Sequence, residues 1–320
     1  MRFSTDTVKL HGVGTDPAVT LRCLGDLSLD MGLGIIGPDS GNTYDEVRFL
    51  GQRVPEGSFG AYALKQILNN IPLLGVKCIT VDGTHPGVEF YGQGHDPCGT
   101  NGRVAAGSHM KVATHGTTGK AFLAVTRIGG SKGQSAMATV RAIICSTDGN
   151  GDPDIRVYNA TLPTSFVVDE EYVIGTPTIE SVAMDNHHVL SWQIDTGIAI
   201  TPIIGAGSVY ATTVDHTKTR PRITIEHDDP TWAQTSKIAF NGKKVLQANT
   251  KFPLIKRTPF AGLEALASAV HIRIAAEGMA YNARHYQASG SAVGTGQIVI
   301  ECSEPAGGVP LVVTVDTANP

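Results

Sequence analysis

The chain's 320 residues are enough for one large domain or two of ordinary size, each able to bury its own core. A formal net charge of -4, with only 17% charged residues, leaves no basic excess that would grip phosphate backbones regardless of sequence. The 37 glycines, 17 prolines and 41% hydrophobic residues, with Val, Ile and Thr prominent and long helical periodicities scarce, predict a folded, soluble, mainly β protein.

The opening "MRFSTDTVKL" lacks an apolar signal-like core, and no later segment approaches the roughly 18 uninterrupted apolar residues of a membrane helix. The chain is therefore expected in the cytosol and off membranes. "AVTLRCLGDLSLDMGLGI" (18–35) reads as strand with a tight turn or bulge at its Asp-x-Gly step, and a long loop (37–58) follows. "SFGAYALKQILNNI" predicts a helix with Ser58 as N-cap and Ala63, Leu64, Ile67 and Leu68 on one face. "HMKVATHG" (109–116), "GKAFLAVTRI" and "ATVRAIIC" read as strands. "VLSWQIDTGIAITPII" (189–204) is again strand, followed by a second long loop (205–221). "DDPTWAQTSKIAF" predicts a helix in which Asp229 precedes Pro230 in the first turn and Trp232 and Ile238 pack inward. "TPFAGLEALASA" predicts a further short helix, and "GQIVIECS" a strand.

The second half restates the first. "LSLDMGLGI" resembles "WQIDTGIAI" at an offset of 165, and "HMKVATHG" resembles "HIRIAAEG" (271–278) at 162. "ATVRAIICSTDGNGDP" resembles "TGQIVIECSEPAGGVP", with Cys145 and Cys302 in the same place, 157 apart, and each half closes on a proline, Pro163 and Pro320. The order of anchors is kept while loop lengths drift, as expected of a tandem duplication. The fold predicted is mainly β, two tandem antiparallel β-sandwich or partly closed barrel units, 1–163 and 164–320, each with a flanking α-helix.

Candidate chemistry is thin. "HGTTGKA" lacks phosphate-loop spacing and runs into strand, so it reads as a β-turn. "DGNGDPD", with Asp148, Asp152 and Asp154, has acids like a calcium loop, but its counterpart "EPAGGVP" has one acid, so the shared role is a turn. His187 and His188 read as surface loop, and His95 with Cys98 finds no further ligands nearby. The five cysteines are odd in number and scattered, and read as free buried thiols. No Gly-x-Ser-x-Gly elbow or cysteine-protease context is present, so no catalytic residue, cofactor or metal is expected. The recurrent strands carry His109 and Lys111 in one half and His271 and Arg273 in the other. Their alternation predicts a polar, outward face used by both units as a subunit interface.

Two similar β units in one chain suit a ring, in which every unit meets its neighbours through a heterologous contact that closes by rotation. Through the repeat, the two helix segments and the strand pairs ending at Cys145 and Cys302, the whole chain resembles the tail tube proteins of long-tailed bacteriophages. The resemblance is architectural, without a short motif, and departs from the usual arrangement in that no additional immunoglobulin-like C-terminal domain is expected. It implies a virion structural protein, not an enzyme: trimeric, pseudo-hexameric rings that assemble in the host cytoplasm, stack into a tail tube, bind other tail proteins and pass DNA as cargo. A net acidic chain suits a lumen that does not hold phosphate, and the two long loops suit contacts between stacked rings. The alternatives are another phage structural protein (terminator, baseplate or capsid-associated), or a duplicated β-sandwich binding module or enzyme. For a sugar-stacking module the supply of aromatics is poor, at 6% with two Trp.

Overall fold

The computed structural model describes residues 2–10, 18–22, 28–30, 33–36, 49–81, 86–95, 109–163, 171–185, 187–216, 219–229, 232, 242–258, 262–287, 294–303 and 308–318. The first half contributes β1 (Arg2–Leu10), β2 (Val19–Arg22), β3 (Ser28–Asp30), β4 (Leu33–Ile36), β5 (Phe49–Arg53) and β6 (Glu56–Ala61). After helix α1 (Leu64–Asn70) come β7 (Lys77–Thr80), β8 (Val88–His95), β9 (His109–Thr114), β10 (Gly119–Ser131), β11 (Met137–Ser146) and β12 (Asp154–Ala160). The second half runs β13 (Glu171–Ile174), β14 (Thr178–Ile179), β15 (Val182–Ala183), β16 (Val189–Asp195), β17 (Ile200–Ile203), β18 (Thr213–His216) and β19 (Arg222–His227). It ends with β20 (Lys243–Val245), β21 (Lys251–Thr258), β22 (Gly262–Leu263), β23 (His271–Ala276), β24 (Gly278–Gln287), β25 (Thr295–Cys302) and β26 (Leu311–Thr317).

The strands form several antiparallel sheets. A ten-stranded sheet runs β20-β24-β25-β19-β16-β10-β11-β6-β3, with β7 also on β10. A second sheet runs β12-β9-β8-β1-β2, and a third β15-β14-β21-β23-β26, with β13 and β22 on β21. Alternation gives the large sheet one apolar face. Val125, Val140, Phe59, Trp192, Ile194, Ile223, Ile225, Ile298 and Ile300 are buried there, in one cluster with Val8, Leu21 and Phe90 of the second sheet and Phe252, Leu254 and Ile274 of the third. Phe59 meets Phe90 edge-on at 6.3 Å and Trp192 meets Phe252 at 5.5 Å, so one aromatic contact pins each smaller sheet to the large one. The sheets share this one cluster, and no sheet closes into a barrel among the described residues.

Several predicted elements are corrected. The one helix described along its length, α1, starts later than Ser58, and Trp232 of the second predicted helix is helical too. Ser58 lies in β6, opposite Arg141 of β11, because "GSFGA" alternates toward the core better than it caps. Leu64 and Ile67 are fully buried, while the N-cap position, Ala63, supplies no side-chain cap. Most of the second predicted helix, 228–240, lies outside the described residues. Trp232 is buried there and its backbone N–H donates to Asp229 Oδ1 at 3.1 Å. "TPFAGLEALASA" is not helical over its described part. Gly262–Leu263 pairs with Arg257–Thr258, and turns follow, the exposed Leu263 and Leu266 having no apolar face to bury against. Each predicted long loop carries a strand that pairs back on the strand before it, β5 on β4 and β18 on β17.

Candidate assembly site

β10 joins the halves. Its start pairs with β7, and its end pairs with β16 in the register Arg127↔Asp195, Ile128↔Ile194, Gly129↔Gln193, Gly130↔Trp192 and Ser131↔Ser191. The junction needs Gly129, which has φ +155°. A Cβ there would stand 2.7 Å from Gln193 Cα and nearer still to the Trp192 carbonyl oxygen. Thr196, fully buried, fixes the end of β16, its hydroxyl donating to Val125 O at 2.7 Å and its N–H to Thr126 O at 3.0 Å. On the face away from the core, Gly129 and Gly130 floor a polar groove of about 280 Å³ with Arg127, Gln134, Ser191 and Gln193 on its walls.

The second half also reaches across that outer face. Ile198, Ile200 and Ala211, around the β17–β18 hairpin, pack on Phe122, Ala124, Ile143 and Cys145 of β10 and β11. Ser146 N–H donates to Ala211 O at 2.8 Å and Arg53 N–H to Val209 O at 2.9 Å. Arg53 bridges to Asp154 at 2.7 Å, and Tyr210 OH donates to Asp152 at 2.5 Å. The acids of "DGNGDPD" thus serve the junction and the turn. Asp148 Oδ1 accepts from the backbone N–H groups of Gly151 and Asn150 and from Ser146 Oγ, which holds its pKa down at about 2. Among the described residues no three His, Cys, Asp or Glu side chains could hold a metal ion.

At the ends of the large sheet two strand edges stay open among the described residues. β3 pairs with β6 on one side only, and β24, beyond the Gly278–Ala280 stretch held by β20, pairs only with β25. Away from the apolar patch under the β17–β18 hairpin, the outer face of this sheet is polar. Arg141 pairs with Glu56 at 2.5 Å, Arg222 with Glu301 at 3.3 Å and Arg284 with Glu226 at 3.5 Å, so its arginines are largely answered by acids in place.

The predicted interface residues sit elsewhere, and the outward His face is a correction. His271 is fully buried. Its Nδ1 accepts from Lys256 N–H at 3.1 Å and its Nε2 donates to Ala265 O at 2.9 Å, so it ties β23 to β21 and to the turn before it. His109 is also buried, at the start of β9 opposite Ala160 of β12, with Nδ1 unpartnered. Lys111 turns to its own sheet, bridging Glu89 at 2.9 Å over the Tyr91 ring, and Arg273 lies mid-sheet between Pro253 and Thr314. The structure brings none of the four to an open edge. The strand parity was right, but these strands are central in their sheets, and polar atoms there satisfy neighbours on the same sheet.

Cys145 and Cys302 are not in the same place, since Cys145 faces the hairpin of the second half whereas Cys302 packs on the core side. Burial pushes both thiols up to about 12. Cys78 is exposed, which corrects its expected burial; Cys23 and Cys98 lie outside the described residues, and with Cys98 the His95–Cys98 pair. "HGTTGKA" is a turn between β9 and β10, and His187 is exposed on a turn as expected. His188 pairs with Asp228 at 2.7 Å, which raises its pKa. The chain matches no protein-family model and no curated protein.

Proposed function

We propose that the chain is a tandem repeat of one β unit, that its copies associate edge to edge into closed rings, and that the rings stack as a virion tail tube that passes DNA. The observation that carries this is the β10·β16 junction together with the two open edges that correspond to it. Strand orders support the repeat: β12-β9-β8-β1-β2 against β26-β23-β21-β14-β15, and β3-β6-β11-β10-β7 against β16-β19-β25-β24-β20. Registers agree in detail. Phe90 opposes Val112 where Phe252 opposes Ile274, and Pro55 O accepts from Ile144 N–H where Pro221 O accepts from Cys302 N–H. The bulge of β10 that precedes Arg127 matches the bulge of β24 that precedes Arg284.

In this correspondence β16 stands for β3 and β10 for β24. The internal junction, Arg127↔Asp195 and Ile128↔Ile194, becomes Arg284↔Asp30 and His285↔Leu29 between two chains, with opposite charges facing across the ladder. Tyr286 stands where Gly129 does, where a Cβ in the Gly129 geometry meets facing backbone, so the second contact is looser at that step. Each junction rotates the next unit the same way, and three chains give six quasi-equivalent units around a hole. The polar outer face then lines the lumen. Asp30, Glu56, Asp195 and Glu226 are matched there by Lys120, Arg127, Arg141 and Arg284, a balanced wall that lets phosphate slide.

Paired cysteines test the junction. The double variant Asp30→Cys, Arg284→Cys should oxidise to covalent dimers and trimers between chains, while each single variant does not. Electron microscopy of the same sample should show rings or tubes. Rings without the cross-link would refute the edge pairing, and a monomer at high concentration would refute the ring itself.

A further inference from the structure

We infer that the outer face of the second repeat around Met279 is a docking surface for the β4–β5 hairpin of a second copy of this chain. The inference deepens the ring reading above and rests on it for the identity of the neighbour.

Within one chain the β17–β18 hairpin covers Phe122, Ala124, Ile143 and Cys145, which are at most 9% exposed. The matched registers of β10 with β11 and β24 with β25 set Leu123 opposite Ala142 where Ala280 opposes Ile300. The positions of Phe122 and Ala124 are then held by Met279 and Tyr281, and those of Ile143 and Cys145 by Glu301 and Ser303. Among the described residues no hairpin covers them: Met279, a large apolar side chain in a strand, is 47% exposed, Tyr281 is half-buried, and Glu301 and Ser303 are exposed. The counterpart of β17–β18 is β4–β5, also a separate two-stranded ladder, and the sequence puts Leu33 and Ile35 at the positions of Ile198 and Ile200. Once β3 of one chain lies on β24 of the next, the strand that leaves β3 starts toward Met279, as the strand leaving β16 starts toward Phe122.

The two surfaces differ in chemistry. Where the internal junction buries Ile143, the external one carries Glu301, which pairs with Arg222 at 3.3 Å and accepts from Tyr281 OH at 3.1 Å. Covering that cluster takes charge out of water, whereas covering Ile143 does not. The chain-to-chain junction is therefore the weaker of the two, so each chain holds its two repeats together before chains associate.

The test compares Met279→Asp and Glu301→Ile with the parent chain by mass photometry across concentration, with far-UV circular dichroism of the monomer as the fold check. Both sites are exposed, so the monomer spectra should be unchanged. Met279→Asp should raise the half-assembly concentration about tenfold or more, and Glu301→Ile should lower it by a similar factor, on the order of what burying one large apolar side chain gives. Hydrogen exchange of the parent should show Leu33–Ile36, Phe49–Arg53 and Met279–Tyr281 gaining protection on assembly. Unchanged half-assembly concentrations in both variants would overturn the inference. Protection confined to Ser28–Asp30 and Arg284–Gln287 would overturn it while leaving the edge pairing intact, and a chain that never assembles would overturn both.

Discussion

Replacing Gly129 with Ala should break the internal junction at its tightest point. The new Cβ would stand 2.7 Å from Gln193 Cα and closer to the Trp192 carbonyl oxygen, both of them backbone atoms of β16 that no rotamer change can move. The φ of +155° is also one that an alanine resists. Backbone strain of about 1–3 kcal/mol and two ladder hydrogen bonds at about 1 kcal/mol each together give a loss of about 3–5 kcal/mol. Gly133 is the control. It too has a positive φ, +75°, but a Cβ there meets nothing within 4 Å, so Gly133→Ala should cost only about 1 kcal/mol. Urea unfolding followed by tryptophan fluorescence reads both, Trp192 lying in the junction. Equal midpoints for the two variants would refute the claim that β10 and β16 are held in contact through Gly129.

Phe252→Ala and Phe90→Ala should each lower stability by roughly 3–5 kcal/mol, since both rings are buried where a smaller sheet meets the large one; a loss under about 1 kcal/mol in chemical denaturation would argue against that packing. Lys111→Glu should destabilise the monomer by setting an acid beside the buried Glu89, visible as a lower melting temperature, whereas a residue serving only an interface would leave the monomer's melting unchanged. His188 is raised by its hydrogen bond to Asp228, so its contribution is full below the unfolded pKa of about 6.5 and is lost as pH rises through the folded value. Histidine NMR titration should show that raised value falling in Asp228→Asn, and an unchanged titration would contradict the pairing. Assembled particles should retain little duplex DNA at ~50 mM salt, where phosphate contacts are strongest, and tight, salt-sensitive binding in a mobility-shift assay would point to a DNA-gripping face instead.

The mainly β character, the recurring strands and the inward face of α1 were legible because each rests on periodicity: alternation buries Val112 and Ile274 alike, and Leu64 and Ile67 fall on one face. The helix start was misread because Ser58 is equally compatible with a cap and with an outward strand position, and only β11 beside it decides. His109 and His271 were read as outward because sequence gives parity but not whether a sheet's second face is covered. For His271 the turn at Ala265 supplies the cover and the acceptor together. The Cys145–Cys302 match was off by one residue, which in a strand reverses the face, and no sequence signal corrects it without the register to β10 and β24. The open edges of β3 and β24 were invisible for the same reason. An edge is defined by which strand is missing beside it, a property of topology rather than of any residue.

The most direct measurement is a cryo-EM map of the concentrated protein at a resolution that traces strands. The expected map has closed rings of three chains in which the large sheet continues without a break from Arg284 of one chain to Asp30 of the next, with six quasi-equivalent units around an open, polar-walled channel. Particles in which those two edges face solvent, or a chain that stays single at every concentration, would contradict it.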